Sequence, residues 1–333
     1  MPINQTPLLH SAPEVFSIKS NETLRFFSNL NSDLQDSEGR ICIIDLSNVK
    51  HLSVSALMYL AALSREAHFA KKVRQFEYCP PDVTSQSGIK YIESHFPRIR
   101  NITSGHNQTG ANGKVWLPFS GTPDGTSSGI LYGNKVNCAF AKNVVDMAIS
   151  YGLKSTEALY VILIELMANT IEHAFFEKND RHDKKNTKSW FFYCEKKLGS
   201  SVINFKLLDM GRGIPTTAYK NLTETIEQKL EVTDVDSHII KDALGNHGHS
   251  RSRHKDCNRG KGLPQIATKF KENEFFNMEI YSNRGFADIH ESSQGGEKHR
   301  SLRDLFSINF LNSMNFEGTL FAWSMRFQNE QGG

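Results

Sequence analysis

The chain has 333 residues and a nearly balanced charge, with 39 Lys and Arg against 36 Asp and Glu and a net charge of +3. Such a balance argues against general electrostatic binding of nucleic acid, which needs a clustered basic surface, although it allows one local basic patch. The length is sufficient for two ordinary domains, and a hydrophobic fraction of 38% is sufficient for packed cores.

Cysteine usage and hydropathy predict a cytoplasmic protein without a membrane span. The five cysteines are scattered and form no Cys-x-x-Cys pair, which favours reduced thiols over a disulfide scaffold. The best apolar run, 158–167, is interrupted by Glu165 and is shorter than the roughly 20 residues of a transmembrane helix. The first residues also lack the basic and apolar regions of a signal peptide.

The first predicted elements alternate strand, helix and strand. A β-rich run at 40–46 ends in Asp-Leu, a helical pattern covers 54–69, and a second short strand is predicted at 73–78. Alternation of this kind indicates a small α/β domain. We place that domain at residues 1–105.

The segment 43–57 resembles the core of STAS domains, the fold of anti-sigma factor antagonists, in which a strand ending in Asp-Leu precedes a D-S-S-G-L-like helix start. Ser53 stands in the place of the aspartate, Val54 in that of the usual phosphoacceptor, Ser55 in that of the second serine, and Ala56 in that of the glycine. Since valine cannot be phosphorylated, the resemblance does not imply phosphorylation there. The alternative is a generic α/β domain.

Glycine and serine dominate the next part of the chain. The stretch 101–129 contains six glycines, a composition that favours loop over packed core. We therefore predict a linker over 106–132, followed by a second domain over 133–328 and a short tail at 329–333. A polar stretch at 291–299 is predicted to be an exposed loop.

The second domain is predicted to be α+β, with helices on one face of a mixed sheet. Helices are expected near 142–149 and from about 156 to 176, and the segment 216–271 reads mostly as helix and loop. The strands are expected at 190–195, 202–209, 278–282, 305–310 and 319–327.

Three polar residues share one stripe of the long helix. Glu165, Asn169 and His173 are spaced four apart, so they lie on the same side. The plainer interpretation is the solvated face of an amphipathic helix. His173 fits a structural role better than that of a ligand.

Glycine-containing turns follow on three later elements. Asp209 ends an apolar strand and is followed by Gly211 and Gly213. A carboxylate at such a strand end can accept a hydrogen bond from an exocyclic amine, such as that of adenine. The alternative is a plain hairpin. Arg259, Gly260, Lys261 and Gly262 precede a helix that begins near Leu263, and backbone N–H groups at a helix start bind anions. A further glycine leads into Thr319 on the last predicted strand.

In this order, the four motifs resemble those of the GHKL ATP-binding family, which includes gyrase, histidine kinases and MutL. The resemblance covers about residues 135–328 and implies the Bergerat α/β sandwich. It also implies roles for matching positions: Asn169 holds Mg²⁺, Asp209 binds the adenine amino group, Gly211 and Gly213 line the nucleotide, Gly260 and Gly262 form the phosphate-side turn, and Thr319 lies near adenine. Arg259, Lys261 and Leu263 belong to the phosphate-side segment. Glu165 is the candidate catalytic general base.

A basic segment lies within the second domain. Residues 241–271 contain eight Lys and Arg and only two acidic residues, which favours a lid over the triphosphate, with a solvated charged loop as the alternative. A zinc site formed by His247, His249, His254 and Cys257 is a further alternative, but its spacing fits no common pattern.

The predicted function is that of a regulatory protein in which Mg²⁺ and ATP control domain or partner docking. A true ATPase of a bacterial multi-protein system, using Glu165, is the alternative. A serine or histidine protein kinase ranks lower, as does an ATPase of the gyrase or MutL type. A protein partner is expected, and homodimerisation stays open.

Overall fold

The structure, a computed structural model, describes residues 6–35, 39–69, 75–79, 120–121, 127–154, 156–172, 189–196, 200–218, 235–245, 262–272, 275–290, 306–310 and 316–326. The chain is a mixed α+β protein with two compact units. The first unit contains the described residues 6–79, and the second contains those from 120 to 326. No helix within these ranges is both long and apolar enough to span a bilayer.

The first unit is built on parallel strands. Its elements are β1 Leu8–Ser11, β2 Val15–Phe16, α1 Asn21–Gln35, β3 Ile41–Asp45, β4 His51–Leu52, α2 Val54–Phe69 and β5 Gln75–Cys79. Strands β1, β3 and β5 form a parallel sheet in that order, and β2 pairs with β4, also in parallel. The strand, helix and strand predicted at 40–46, 54–69 and 73–78 are confirmed.

Helix α2 begins at a capping serine. The Ser53 hydroxyl accepts a hydrogen bond from the backbone N–H of Ala56 at 3.2 Å, and the Ser53 carbonyl accepts one from Leu57. This arrangement satisfies N–H groups that a helix start leaves unpaired. Val54 is therefore the first helical residue, and Ser55 is buried.

The second unit contains one large sheet and a set of helices. Its strands are β6 Ser120–Gly121, β7 Ser127–Gly133, β8 Trp190–Lys196, β9 Val202–Asp209, β10 Phe275–Asn283, β11 Gly285–His290, β12 Phe306–Phe310 and β13 Phe316–Arg326. Its helices are α3 Cys138–Ser150, α4 Thr156–Glu172, α5 Gly213–Ala218, α6 Val235–Gly245 and α7 Gly262–Glu272. Helix α3 starts earlier than predicted because the Asn137 side chain caps it.

The predicted linker over 106–132 extends too far, because Ser127–Gly133 is a strand that pairs with β8. Gly133, which follows the predicted linker directly and ends this strand, is required by packing. A Cβ atom on Gly133 would collide with the indole of Trp190, its cross-strand neighbour. A glycine allows that ring to lie flat against the strand.

The sheet is antiparallel at every described pairing, so the prediction of a mixed sheet is wrong. The strand order is β12-β11-β10-β13-β9-β8-β7-β6. Strands β10, β11 and β12 form one meander, and β7, β8 and β9 form another. Consecutive strands of this kind pair antiparallel, and β13 runs antiparallel to both β10 and β9, which joins the two meanders.

One face of the sheet forms the core with the helices. Cross-strand rows of apolar side chains run over this face: Met278, Trp323, Phe205 and Cys194, then Ile280, Phe321, Leu207 and Phe192. Helices α3, α4, α6 and α7 contribute their buried residues to the same cluster. The next row of this face is the first polar one.

Candidate functional site

The polar row lies where the core face of the sheet ends. Asp209 ends β9, its cross-strand neighbour on β13 is Thr319, and the neighbour of Thr319 on β10 is Ser282. These side chains are only 6%, 3% and 0% exposed, respectively. Side chains two positions apart in a strand lie on the same face of the sheet. In each of these strands the residue two positions further in is buried in the core, so the three polar side chains lie on the core face.

The Asp209 carboxyl is held in an environment that disfavours its charge. Burial raises its pKa from the ordinary 3.8 to about 7, although hydrogen bonds from Gly211 and Thr319 act in the opposite direction. The backbone N–H of Gly211 donates to Asp209 Oδ1 at 2.8 Å. The carboxyl is thus oriented by the chain and titrates near neutral pH, which suits a group that exchanges hydrogen bonds with a ligand.

Two glycines are required by the close approach of other chain segments. Gly213 has φ +80°, and a Cβ there would lie 2.7 Å from Ser282 Oγ and would collide with the side chain of Asn283. Gly318 has φ +92°, and its Cβ would collide with the backbone carbonyl of Asp209. Both positions therefore need a residue without a side chain. The glycine turn and the strand β13 consequently pack directly around Asp209.

The second group of predicted residues meets at the start of α7. A Cβ atom built on Gly262 would lie 2.6 Å from Glu165 Oε2, 3.2 Å from Asn169 Oδ1 and 3.3 Å from Asn169 Nδ2. Leu263 packs against the core, which anchors this first turn over helix α4. The structure thus brings Gly262 to the helical stripe of Glu165 and Asn169, from which it is far apart in the sequence.

The donor set at the start of α7 fits a small divalent cation. Glu165 and Asn169 each present a carboxylate or amide oxygen to the same place, and oxygen atoms are the ligands that Mg²⁺ prefers. Asn169 Nδ2 is buried and has no hydrogen-bond partner among the described residues; as a donor it would be satisfied by an acceptor atom of a ligand and not by the cation. The described ranges hold no group of three or more His, Cys, Asp and Glu suited to a metal.

Several predicted residues lie outside the described part of the chain. These are Arg259, Gly260 and Lys261 of the phosphate-side segment, His173, and the four residues of the alternative zinc site, His247, His249, His254 and Cys257. The two described groups, around Asp209 and around Gly262, border the same core, in which Ile214, Leu166 and Ile266 are buried.

Sequence reasoning missed Ser282. Its hydroxyl accepts a hydrogen bond from the backbone N–H of Ile214 at 2.8 Å and lies 3.1 Å from both the Gly318 carbonyl and Thr319 Oγ1. The strand that ends near Ser282 was predicted, but its register against β13 was not. The register alone places Ser282 beside Thr319.

Comparisons with known proteins leave the interpretation to the residues themselves. No protein-family model matches this chain, and no curated protein matches it in sequence.

Proposed function

We propose that the second unit binds ATP with Mg²⁺ as a GHKL-type nucleotide-binding domain, and that the first unit is a STAS-like module. In this proposal, nucleotide binding controls docking of the domains or of a protein partner in a cytoplasmic regulatory protein. The observation that carries it is the meeting of Gly262 with Glu165 and Asn169. Gly262 belongs to a different sequence motif from Glu165 and Asn169, and a phosphate and cation site requires the two motifs to meet.

The Asp209 row supports binding of the base. A buried carboxyl beside a buried hydroxyl offers acceptors to the two N–H groups of an adenine amino group. The absence of a side chain at Gly318 lets the start of β13 approach the backbone of Asp209 closely. Base recognition at a site of this kind is specific because an unpaired buried acceptor costs more than an exposed one.

The start of α7 supports binding of the phosphates. Backbone N–H groups of a helix's first turn point along its axis and attract anions, and α7 begins at Gly262. Asn169 and Glu165 would hold Mg²⁺ next to this turn. When bound, the cation neutralises phosphate charge. The chain's own contribution is to fix the amide and the carboxylate at the helix start.

Hydrolysis of ATP is a second candidate, favoured by the position of Glu165. Its Oε2 atom faces the first residue of α7, one helical turn from Asn169. A carboxylate held there can accept a proton from a water that attacks the terminal phosphate. Steady phosphate release that Glu165→Gln lowers at least a hundredfold would support this candidate. Asp146→Asn, which removes an exposed carboxylate of α3, is the control.

Calorimetric titration of the full chain with ATP, in the presence and absence of Mg²⁺, tests the proposed function. We expect saturable binding that Mg²⁺ strengthens and that Asp209→Asn weakens at least tenfold. Asp146→Asn removes an exposed carboxylate from α3 and should leave the affinity unchanged. The proposal is wrong if the wild-type chain does not bind, or if Asp209→Asn binds ATP as tightly as the wild type.

A further inference from the structure

One buried hydroxyl connects the glycine turn, the start of β13 and the proposed base site. Ser282 is fully buried. Its oxygen lies within hydrogen-bond distance of three groups from two other chain segments: the N–H of Ile214, the carbonyl of Gly318 and the hydroxyl of Thr319. A serine hydroxyl has one proton and two lone pairs. These contacts therefore restrict one another.

The proton of Ser282 has two acceptors at 3.1 Å, the Gly318 carbonyl and Thr319 Oγ1, and a more distant one at 3.5 Å, Asn283 Oδ1. The Ile214 N–H can only donate, so it occupies one lone pair of Ser282 Oγ, and the Gly318 carbonyl can only accept. If Ser282 donates to the Gly318 carbonyl at 3.1 Å, one lone pair of Ser282 Oγ remains for the Thr319 hydroxyl, which can donate there once a ligand satisfies Asp209 in its place. If Ser282 donates to Thr319, the Thr319 proton is available to Asp209, with which this hydroxyl also forms a hydrogen bond.

These two arrangements differ in whether the Thr319 hydroxyl is free to accept a hydrogen bond from a ligand. In the first, the Thr319 hydroxyl donates its hydrogen bond to Ser282, so Thr319 Oγ1 offers its lone pairs as an acceptor beside the Asp209 carboxylate. In the second, Thr319 is a donor that is already engaged with Asp209. A purine with an amino group at position 6 satisfies the Asp209 carboxylate itself and needs the first arrangement. A purine with an oxo group in that place needs a donor instead.

We propose that Ser282 is a positioning residue that sets base specificity by accepting the hydrogen bond of the Thr319 hydroxyl when a 6-aminopurine occupies the site. The inference rests on the proposed function, since it assigns the Asp209 row to the base. It goes further by naming a residue that acts through Thr319 and by naming the group, the 6-amino substituent, that this residue selects.

The ratio of the affinities for ATP and inosine triphosphate tests the inference, because the two nucleotides differ in the substituent at position 6. We expect the wild-type chain to prefer ATP, and Ser282→Ala to reduce the preference about twofold to tenfold, the range of one neutral hydrogen bond. Loss of a merely structural group would weaken both nucleotides equally and leave the ratio unchanged.

Ser324→Ala is the matched control. Ser324 is also a buried serine of the same sheet, and its hydroxyl donates to Asn204 Oδ1 at 2.7 Å, but strand alternation places it on the opposite face from Thr319. This variant should keep the wild-type ratio. An equal fall in the ratio in both variants would overturn the inference, because general loosening of the sheet would then explain it.

The outcomes separate the two proposals. A wild-type chain that binds neither nucleotide contradicts the proposed function. A wild-type chain that binds ATP, together with Ser282→Ala that keeps the full preference, contradicts only the role of Ser282. If Ser282→Ala shows no cooperative thermal transition, Thr319→Val replaces it. That variant removes the other hydroxyl of the pair, so an unchanged ratio there also overturns the inference.

Discussion

The buried carboxyl of Asp209 should make the free energy of unfolding depend on pH. Its carboxyl has a folded-state pKa of about 7, against an ordinary value of 3.8 in an unfolded chain. A raised pKa means that the folded state binds the proton more tightly than the unfolded state does. The contribution to stability is therefore complete below about pH 4 and is lost as the pH rises towards 7.

The size of the effect follows from the difference between the two pKa values. Each unit corresponds to about 1.4 kcal/mol, so a shift of about three units removes roughly 4 kcal/mol of unfolding free energy over the whole window. Between pH 5 and pH 8, about two units of that window are crossed, which corresponds to about 3 kcal/mol. Asp209→Asn has no titrating group at this position. The free energy of unfolding of this variant, relative to that of the wild type, should therefore rise by that amount from pH 5 to pH 8.

Urea unfolding at pH 5 and pH 8 measures this growth. Trp190 and Trp323 are buried in the core of the second unit, and a Trp116→Phe background leaves their fluorescence as the only tryptophan signal. Asp146→Asn, which removes an exposed carboxylate of α3, is the control variant at the same two pH values. A difference between Asp209→Asn and the wild type that stays constant from pH 5 to pH 8 would refute the reasoning.

Three further predictions concern the site. Gly213→Ala should destabilise the second unit by at least about 2 kcal/mol more than Gly39→Ala destabilises the first unit, as measured by urea unfolding. Both glycines have φ +80°, but only Gly213 has no space for a Cβ. Equal losses of unfolding free energy would contradict this. The ATP affinity of the wild type should fall as the pH drops from 8 to 5, by up to about tenfold per pH unit below pH 7. The reason is that protonated Asp209 accepts fewer hydrogen bonds. A pH-independent affinity would exclude its carboxylate as the acceptor. Gly262→Ala should weaken Mg²⁺-dependent ATP binding at least tenfold, because the added Cβ displaces the α4 side chains. Gly245→Ala should not weaken it, because a Cβ there has no atom within 4 Å. Equal affinities in the two variants would exclude Gly262 from the site.

Strong local patterns predicted most of the elements. The strand at 202–209 and the helix that begins at Thr156 were correct because their apolar periodicity spans many residues. Strands β7 and β11 were missed because glycine and polar residues weaken the alternation that identifies a strand. Helix α1 and the short strands β1, β2, β4 and β6 were not predicted either. Pairing in the sheet depends on distant partners, and a local pattern does not contain that information.

The candidate site was predictable to a similar degree. The residues Asp209, Thr319, Asn169 and Gly262 stood out because glycine and polar residues interrupt apolar elements there. Ser282 did not stand out because a serine at a strand end is common and carries no signal of its own. Its importance comes from the register of β10 against β13, which the order of residues along the chain does not reveal.

The central position of β13 has a consequence for how the protein is made. The hydroxyl of Ser324 bonds to Asn204, 120 residues earlier in the chain, and β13 is the strand between the two meanders. Until the ribosome has released residues 316–326, each meander has an unpaired edge strand, β9 in one and β10 in the other. Open edges of this kind pair with other chains. A nascent second unit therefore depends on rapid delivery of β13, or on a chaperone, to avoid aggregation during synthesis.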